Sequence, residues 1–150
     1  METTLLHPPN LVDRELFTFS LNHEVHKAVR LQYPLSLLCL TLDRPPAEST
    51  RALIPRLARL SARRVRATDL AASLDPSSVA ILLIDAQAHN LPGILERLTE
   101  EIEPTLHLTV SAGGGCYPKT ASSGDGLIEQ ATELMRRANA EGGDRLYLPT

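Results

Sequence analysis

The chain has 150 residues, a formal charge of −3 and 43% hydrophobic residues, which fits one soluble α/β domain around one core. Near-neutral charge gives no pull toward nucleic acid or acidic membranes, and aromatics at 3% leave little for base-stacking platforms. No apolar run approaches the roughly 18 residues of a membrane span, and the start, Met-Glu-Thr-Thr-Leu-Leu-His-Pro-Pro, lacks the basic and apolar blocks of a signal peptide. A cytoplasmic protein is expected, with Cys39 and Cys116 as reduced, buried thiols and not a disulfide or zinc framework.

Residues 1–10 read as an irregular lead-in ending at Pro8-Pro9-Asn10, and 11–150 as a single domain. Asp13 is a candidate N-cap for a first helix reaching about Leu31, with Phe17, Leu21, Val25, Ala28 and Val29 on one face. Leu35 to Asp43 is an apolar run suited to a strand covered on both sides, with Pro34 confined to its start. Ser49 or Thr50 can cap a second helix over about 50–65, which buries Leu53, Leu57 and Leu60. Its arginines, Arg51, Arg56, Arg59, Arg63 and Arg64, read first as a solvated face, and second as a surface able to meet phosphates or acidic partners.

Asp69 to Leu74 and Val79 to Ile84 are two strand-like arms joined by Asp75-Pro76-Ser77-Ser78, where proline and the aspartate favour a type I turn. A hairpin is expected there. Pro92 then opens a third helix, with Leu91, Ile94, Leu95, Leu98 and Ile102 as its buried stripe, and Pro104 ends it. Leu106 to Ala112 alternates as a strand, and the following Gly113-Gly114-Gly115 reads as a strand end or bulge. A fourth helix over about 123–140 stops at Gly142-Gly143, and Arg145 to Leu148 forms a last strand.

This order, with Arg66-Ala67-Thr68-Asp69 just before the hairpin and Thr109-Val110-Ser111-Ala112-Gly113 late in the chain, resembles the GGDEF domains. These are the diguanylate cyclases of bacterial signalling. The resemblance implies a ferredoxin-like, nucleotidyl-cyclase-type α+β fold: a mixed, largely antiparallel sheet of about five strands flanked by about four helices. It covers roughly residues 11–148. In that family the hairpin turn carries Gly-Gly-Asp/Glu-Glu-Phe, whereas Asp75-Pro76-Ser77-Ser78-Val79 stands here. The family's magnesium-binding positions fall on Thr41 and Ser78, with Asp43 keeping only the second acidic position. The triphosphate lysine falls on Asn139, and the guanine contacts have no counterpart. Two-metal cyclisation needs carboxylate ligands, so the resemblance implies a domain without catalytic or metal-binding residues.

The family's inhibitory site, which binds cyclic di-GMP, maps onto Arg66, Asp69 and Arg97. Arginine forks suit phosphates and guanine acceptor edges, and a carboxylate accepts from guanine N–H groups. The implied function is an inactive domain that binds cyclic di-GMP, needs no cofactor and relays the signal to a protein partner. Intercalated ligand dimers would allow a homodimer. The same residues also admit a structural explanation. Arg66 and Asp69 would form a local ion pair worth roughly 0–1 kcal/mol, Arg97 would pair with Glu101, and the domain would be a protein-interaction scaffold that binds no nucleotide. Its contact surface would be the arginine side of the second helix or the hairpin tip. A third alternative is GTP binding without turnover in the former active cleft. His23 and His26 lack the i,i+4 spacing of a zinc-protease helix and read as surface residues.

Overall fold

In the computed structural model of the chain, residues 7–150 are described, so the first six residues of the lead-in lie outside them. Helix α1 spans Arg14–Leu31, and its N-cap Asp13 accepts a hydrogen bond from the Leu16 N–H, as the sequence anticipates. Phe17, Leu21, Val25 and Ala28 are buried, but Val29 is not: at 59% exposed it lies off the inward face with Leu31. Strand β1, Leu35–Leu42, follows and lies in the middle of the sheet.

Helix α2 covers Thr50–Arg63, β2 Leu70–Asp75 and β3 Ser78–Ile84. Pro76 and Ser77 form the hairpin turn, fixed by the Asp75 carboxylate. Its Oδ1 accepts from the Ser77 N–H at 2.8 Å and from the Ser77 and Ser78 hydroxyls, each at 3.0 Å. A register shift between Ser73 and Asp75 bends the end of β2.

Helix α3 runs Leu91–Leu106, past the proline expected to end it. Pro104 sits in the last turn on the solvent side, where its missing N–H releases only one carbonyl. The helix ends at His107, left-handed at φ 60°, whose N–H bonds to Glu103. Strand β4 is therefore Val110–Tyr117, not Leu106 to Ala112, and the three glycines lie within it. They pair regularly with Leu37, Leu38 and Cys39 and form neither a strand end nor a bulge. A Cβ on Gly113 would stand 2.2 Å from the Ala131 carbonyl oxygen and 2.3 Å from the Met135 nitrogen. Glycine lets α4, Gly124–Ala140, press its backbone onto the strand. A short strand β5, Arg145–Tyr147, completes the sheet.

The sheet order is β2-β3-β1-β4-β5, antiparallel except for the parallel β4–β5 pair. This is the expected α+β architecture of five strands and four helices. Pleating sends Leu38, Leu40 and Leu42 into a core with α2 and α3, and Leu35, Leu37 and Cys39 into a second core with α1 and α4. Both faces of β1 are covered, which explains its largely apolar sequence. Asn10 is buried, and its amide donates to the Ala62 carbonyl at the end of α2. Next to it Leu11 bridges in parallel to Ala71 and shields part of the β2 edge.

Candidate functional site

Helix α2 stops at Arg63, and the chain turns through Arg64 to Asp69 before entering β2. The spacing of Arg66 and Asp69 builds this turn. The Asp69 N–H donates to the Arg66 carbonyl at 2.9 Å, and the Arg66 N–H donates to Asp69 Oδ2 at 3.1 Å. Asp69 Oδ1 accepts from the Ile84 N–H at 2.9 Å, which ties the turn to the end of β3. With its residue only 1% exposed, the carboxylate is a structural clamp. Arg66 lies over it, Nε 3.4 Å from Oδ2, with Nη2 donating to the Ile84 carbonyl, while its side chain stays 61% exposed.

Arg97 comes from α3, three residues beyond Ile94, and both line the same cleft as Arg66 and Asp69. The expected Arg97–Glu101 pairing does not form. Arg64 Nε instead lies 3.9 Å from Glu101, and Arg64 Nη2 reaches the Arg97 carbonyl at 3.1 Å and Glu100 at 3.5 Å. The cleft has a volume of about 770 Å³. Its walls carry four arginines, Arg63, Arg64, Arg66 and Arg97, against two aspartates, Asp69 and Asp85, with Asn90 and Ile94 between them. The structure thus gathers all three residues singled out from sequence. It adds Arg63 and Arg64, which the sequence assigns to a solvated helix face, and Asp85 and Asn90, which carry no sequence signal.

At the opposite end of β1 the polar groups are partnered internally. Thr41 donates its hydroxyl to the Ser77 carbonyl at 2.7 Å, joining β1 to the hairpin turn. Asp43 is 5% exposed and accepts four hydrogen bonds. They come from the Thr109 and Ser111 hydroxyls at 2.6 Å each, and from Asn139 Nδ2 and the Asp144 N–H at 2.8 Å each. Burial pushes the Asp43 carboxyl up, but these four donors outweigh it and hold the pKa below the ordinary carboxylate value. Asp75 shows the same balance, its desolvation outweighed by hydrogen bonds from Ser77 and Ser78. Among the described residues, no helix is long and apolar enough to cross a membrane.

No protein-family model matches the sequence, and no match was found among curated protein sequences. Solved structures do resemble it. The GGDEF domain of FimX from Pseudomonas aeruginosa superposes with a TM-score of 0.79 at 19% identity, covering 95% of this chain and 98% of that one. The GGDEF domain of DgcB from Caulobacter crescentus, in complex with c-di-GMP, gives 0.75 at 19% identity over 93% and 89% of the two chains. The diguanylate cyclase SiaD from Pseudomonas aeruginosa, in complex with its activator SiaC, gives 0.76 at 18% identity over 96% of this chain and 62% of that one. At such identities the likeness is one of architecture, and on that ground the chain has the fold of the GGDEF domains.

Proposed function

We propose that this chain is a catalytically inactive cyclic di-GMP receptor that binds its ligand in the arginine-lined cleft and relays the signal to a protein partner. The observation that carries this reading is the convergence of Arg66 and Arg97, 31 positions apart in sequence, with Asp69, Arg63 and Arg64 around one cleft. The four guanidiniums suit a ligand with two phosphodiesters and guanine acceptor edges. Inactivity is supported by Thr41 and Ser78 at the former metal positions and by the saturation of Asp43, which leaves no free carboxylate pair there. Two similar domains, in DgcB and SiaD, are solved with c-di-GMP and with an activator protein respectively, which makes both parts of the reading reasonable for this architecture.

The test is calorimetric titration of the full chain with cyclic di-GMP, for wild type, Arg66→Ala and Arg97→Ala, with sedimentation to detect ligand-driven dimers. Saturable binding that weakens by at least about tenfold in both variants supports the receptor. Absence of heat and of thermal stabilisation in the wild type refutes it. Steady conversion of GTP with magnesium would refute the inactivity.

A second reading, an interaction scaffold without nucleotide, draws on a different surface from those the sequence suggests. Among the described residues, the large exposed apolar side chains, Leu16, Phe19, Val29 and Leu31, all lie on α1. Phe19 is 69% exposed and stacks only on His23. Exposed apolar groups gathered on one element are characteristic of protein contact sites.

A further inference from the structure

We infer that the outer face of α2 is a docking surface for an acidic segment of a partner protein, with Arg59 as its anchor. Between Thr50 and Arg63 the helix carries four arginines and no acidic residue. Arg56, Arg59 and Arg63 fall at i, i+3 and i+7, opposite the buried Ile54, Leu57 and Ser61, and so form one row about 10 Å long. Arg51, Arg56 and Arg63 are exposed, and none of the four takes part in an ion pair among the described residues. The start of the helix adds to this positive charge. Ser49 gives no side-chain cap and the first turn holds no acid, so the positive end of the helix dipole is uncompensated.

Arg59 is the half-buried member of the row, and its Nε is buried without a hydrogen-bond partner among the described residues. It lines a cleft of about 540 Å³ with Arg14 and His7. Among the described residues the one acid in that lining is Asp13, which already caps α1. A carboxylate seated there gives the Arg59 guanidinium the acceptor it lacks. A protein segment fits the row better than other polyanions. Helix α2 has no large exposed apolar side chain to insert into lipid, those among the described residues lying on α1. It has no aromatic ring on which a base could stack, and the net charge of −3 opposes a long polyanion at a distance. Carboxylates three and four residues apart on a partner helix repeat at the period of the arginines themselves. This surface gives the relay a class of partner and does not depend on nucleotide binding.

The experiment uses a labelled, alanine-based peptide of the length of α2 with glutamates at every third and fourth position, and the same peptide with glutamines instead. Fluorescence anisotropy follows each against the full chain without nucleotide, at low and high salt, for wild type, Arg59→Ala, Arg56→Glu and Arg97→Ala. The new residues on α2 are good helix formers, so those variants should melt close to wild type. Wild type should bind the glutamate peptide and not the glutamine one, and salt should weaken the complex. Arg59→Ala and Arg56→Glu should each lose roughly tenfold or more, the scale of a hydrogen bond between charged groups. Arg97→Ala should bind the peptide like wild type. Absence of binding, equal binding of the two peptides, or a loss in Arg97→Ala but not in Arg59→Ala overturns the assignment and leaves the receptor reading untouched. Tighter, Arg59-dependent capture of phosphatidylserine vesicles or duplex RNA overturns the choice of a protein partner. Self-association of wild type that Arg59→Ala abolishes overturns it too, by giving the face to a second copy of the chain.

Discussion

Replacement of Asp43 by alanine tests whether a carboxylate at the end of β1 now serves the fold. The side chain joins β1, β4, α4 and the turn into β5 through four donors at 2.6–2.8 Å. Removing it leaves the buried Ser111 hydroxyl without its acceptor, while Thr109, Asn139 and Asp144 lie nearer to water. A buried donor left unpaired costs about 1–3 kcal/mol. One such group plus the partial loss of the other three gives about 2–4 kcal/mol. In a chain of this length that lowers the melting temperature by roughly 10 °C. Urea denaturation followed by circular dichroism measures it, with an unchanged slope showing that the unfolded state is unaffected. Asp43→Asn should recover part of the loss, because the hydroxyls and the Asn139 amide can reverse their roles but the Asp144 N–H cannot. The folded pKa lies below the unfolded one, so the carboxylate's contribution is complete above about pH 4 and fades as pH falls through the folded value. Wild type should therefore lose more stability than Asp43→Asn on acidification through that window. A loss below about 1 kcal/mol for Asp43→Ala would refute the structural role, since exposed polar contacts are worth that little.

Gly113→Ala should destabilise severely, at or above the 1–3 kcal/mol typical of overpacking, because its methyl meets helix backbone that cannot rotate away. Wild-type melting would disprove the close helix–strand approach. Asp69→Ala should cost about 1–3 kcal/mol through the unpaired Ile84 N–H; wild-type melting would contradict the clamp between this turn and β3. Cys39 is buried and its thiol is pushed up to about 12, chiefly by desolvation. With Cys116 also buried, neither cysteine should react with a thiol reagent near pH 8 until denaturant is added. Rapid native labelling would show that the sheet opens locally.

The fold was legible in the sequence where periodicity speaks. The helices carry apolar spacings of helical period, β1 and the hairpin arms are apolar runs of strand length bounded by turn residues, and Asp13 marks the start of α1. Misreadings arose where side chains fall silent or patterns coincide. The glycines of β4 have no side chains to alternate, so the strand's centre looked like its end. Leu106, Leu108 and Val110 repeat every second residue, yet Leu106 closes a helix and only Val110 lies in the strand. Val29 was grouped with Ala28 because neighbours on a helix blur at the edge of an apolar face. In the cleft, Arg66, Asp69 and Arg97 could be identified by their motif spacing. Arg63, Arg64 and Asp85 could not, since they enter through the end of α2 and the turn out of β3, whose directions are set by tertiary packing.

The two ends of the central strand differ in a way that bears on where a ligand would bind. The register pairs Leu35 with Ile84 at one end and Leu40 with Val79 at the other, so the arginine cleft and the Thr41 cluster lie roughly 20 Å apart. At the Thr41 end, carboxylates, hydroxyls and amides satisfy one another, and a polyanion would have to break those bonds and meet Asp43 and Asp75. At the Ile84 end the balance is reversed. Arg63 and Arg97 take part in no ion pair among the described residues, and Arg66 is clamped at its base while its side chain stays largely in solvent. Arg64 is paired with Glu100 and Glu101 and Arg66 with Asp69, so the positive charge left uncompensated in this cleft rests on Arg63 and Arg97. An anion entering here would meet that charge, whereas at the other end it would meet the carboxylates of Asp43 and Asp75.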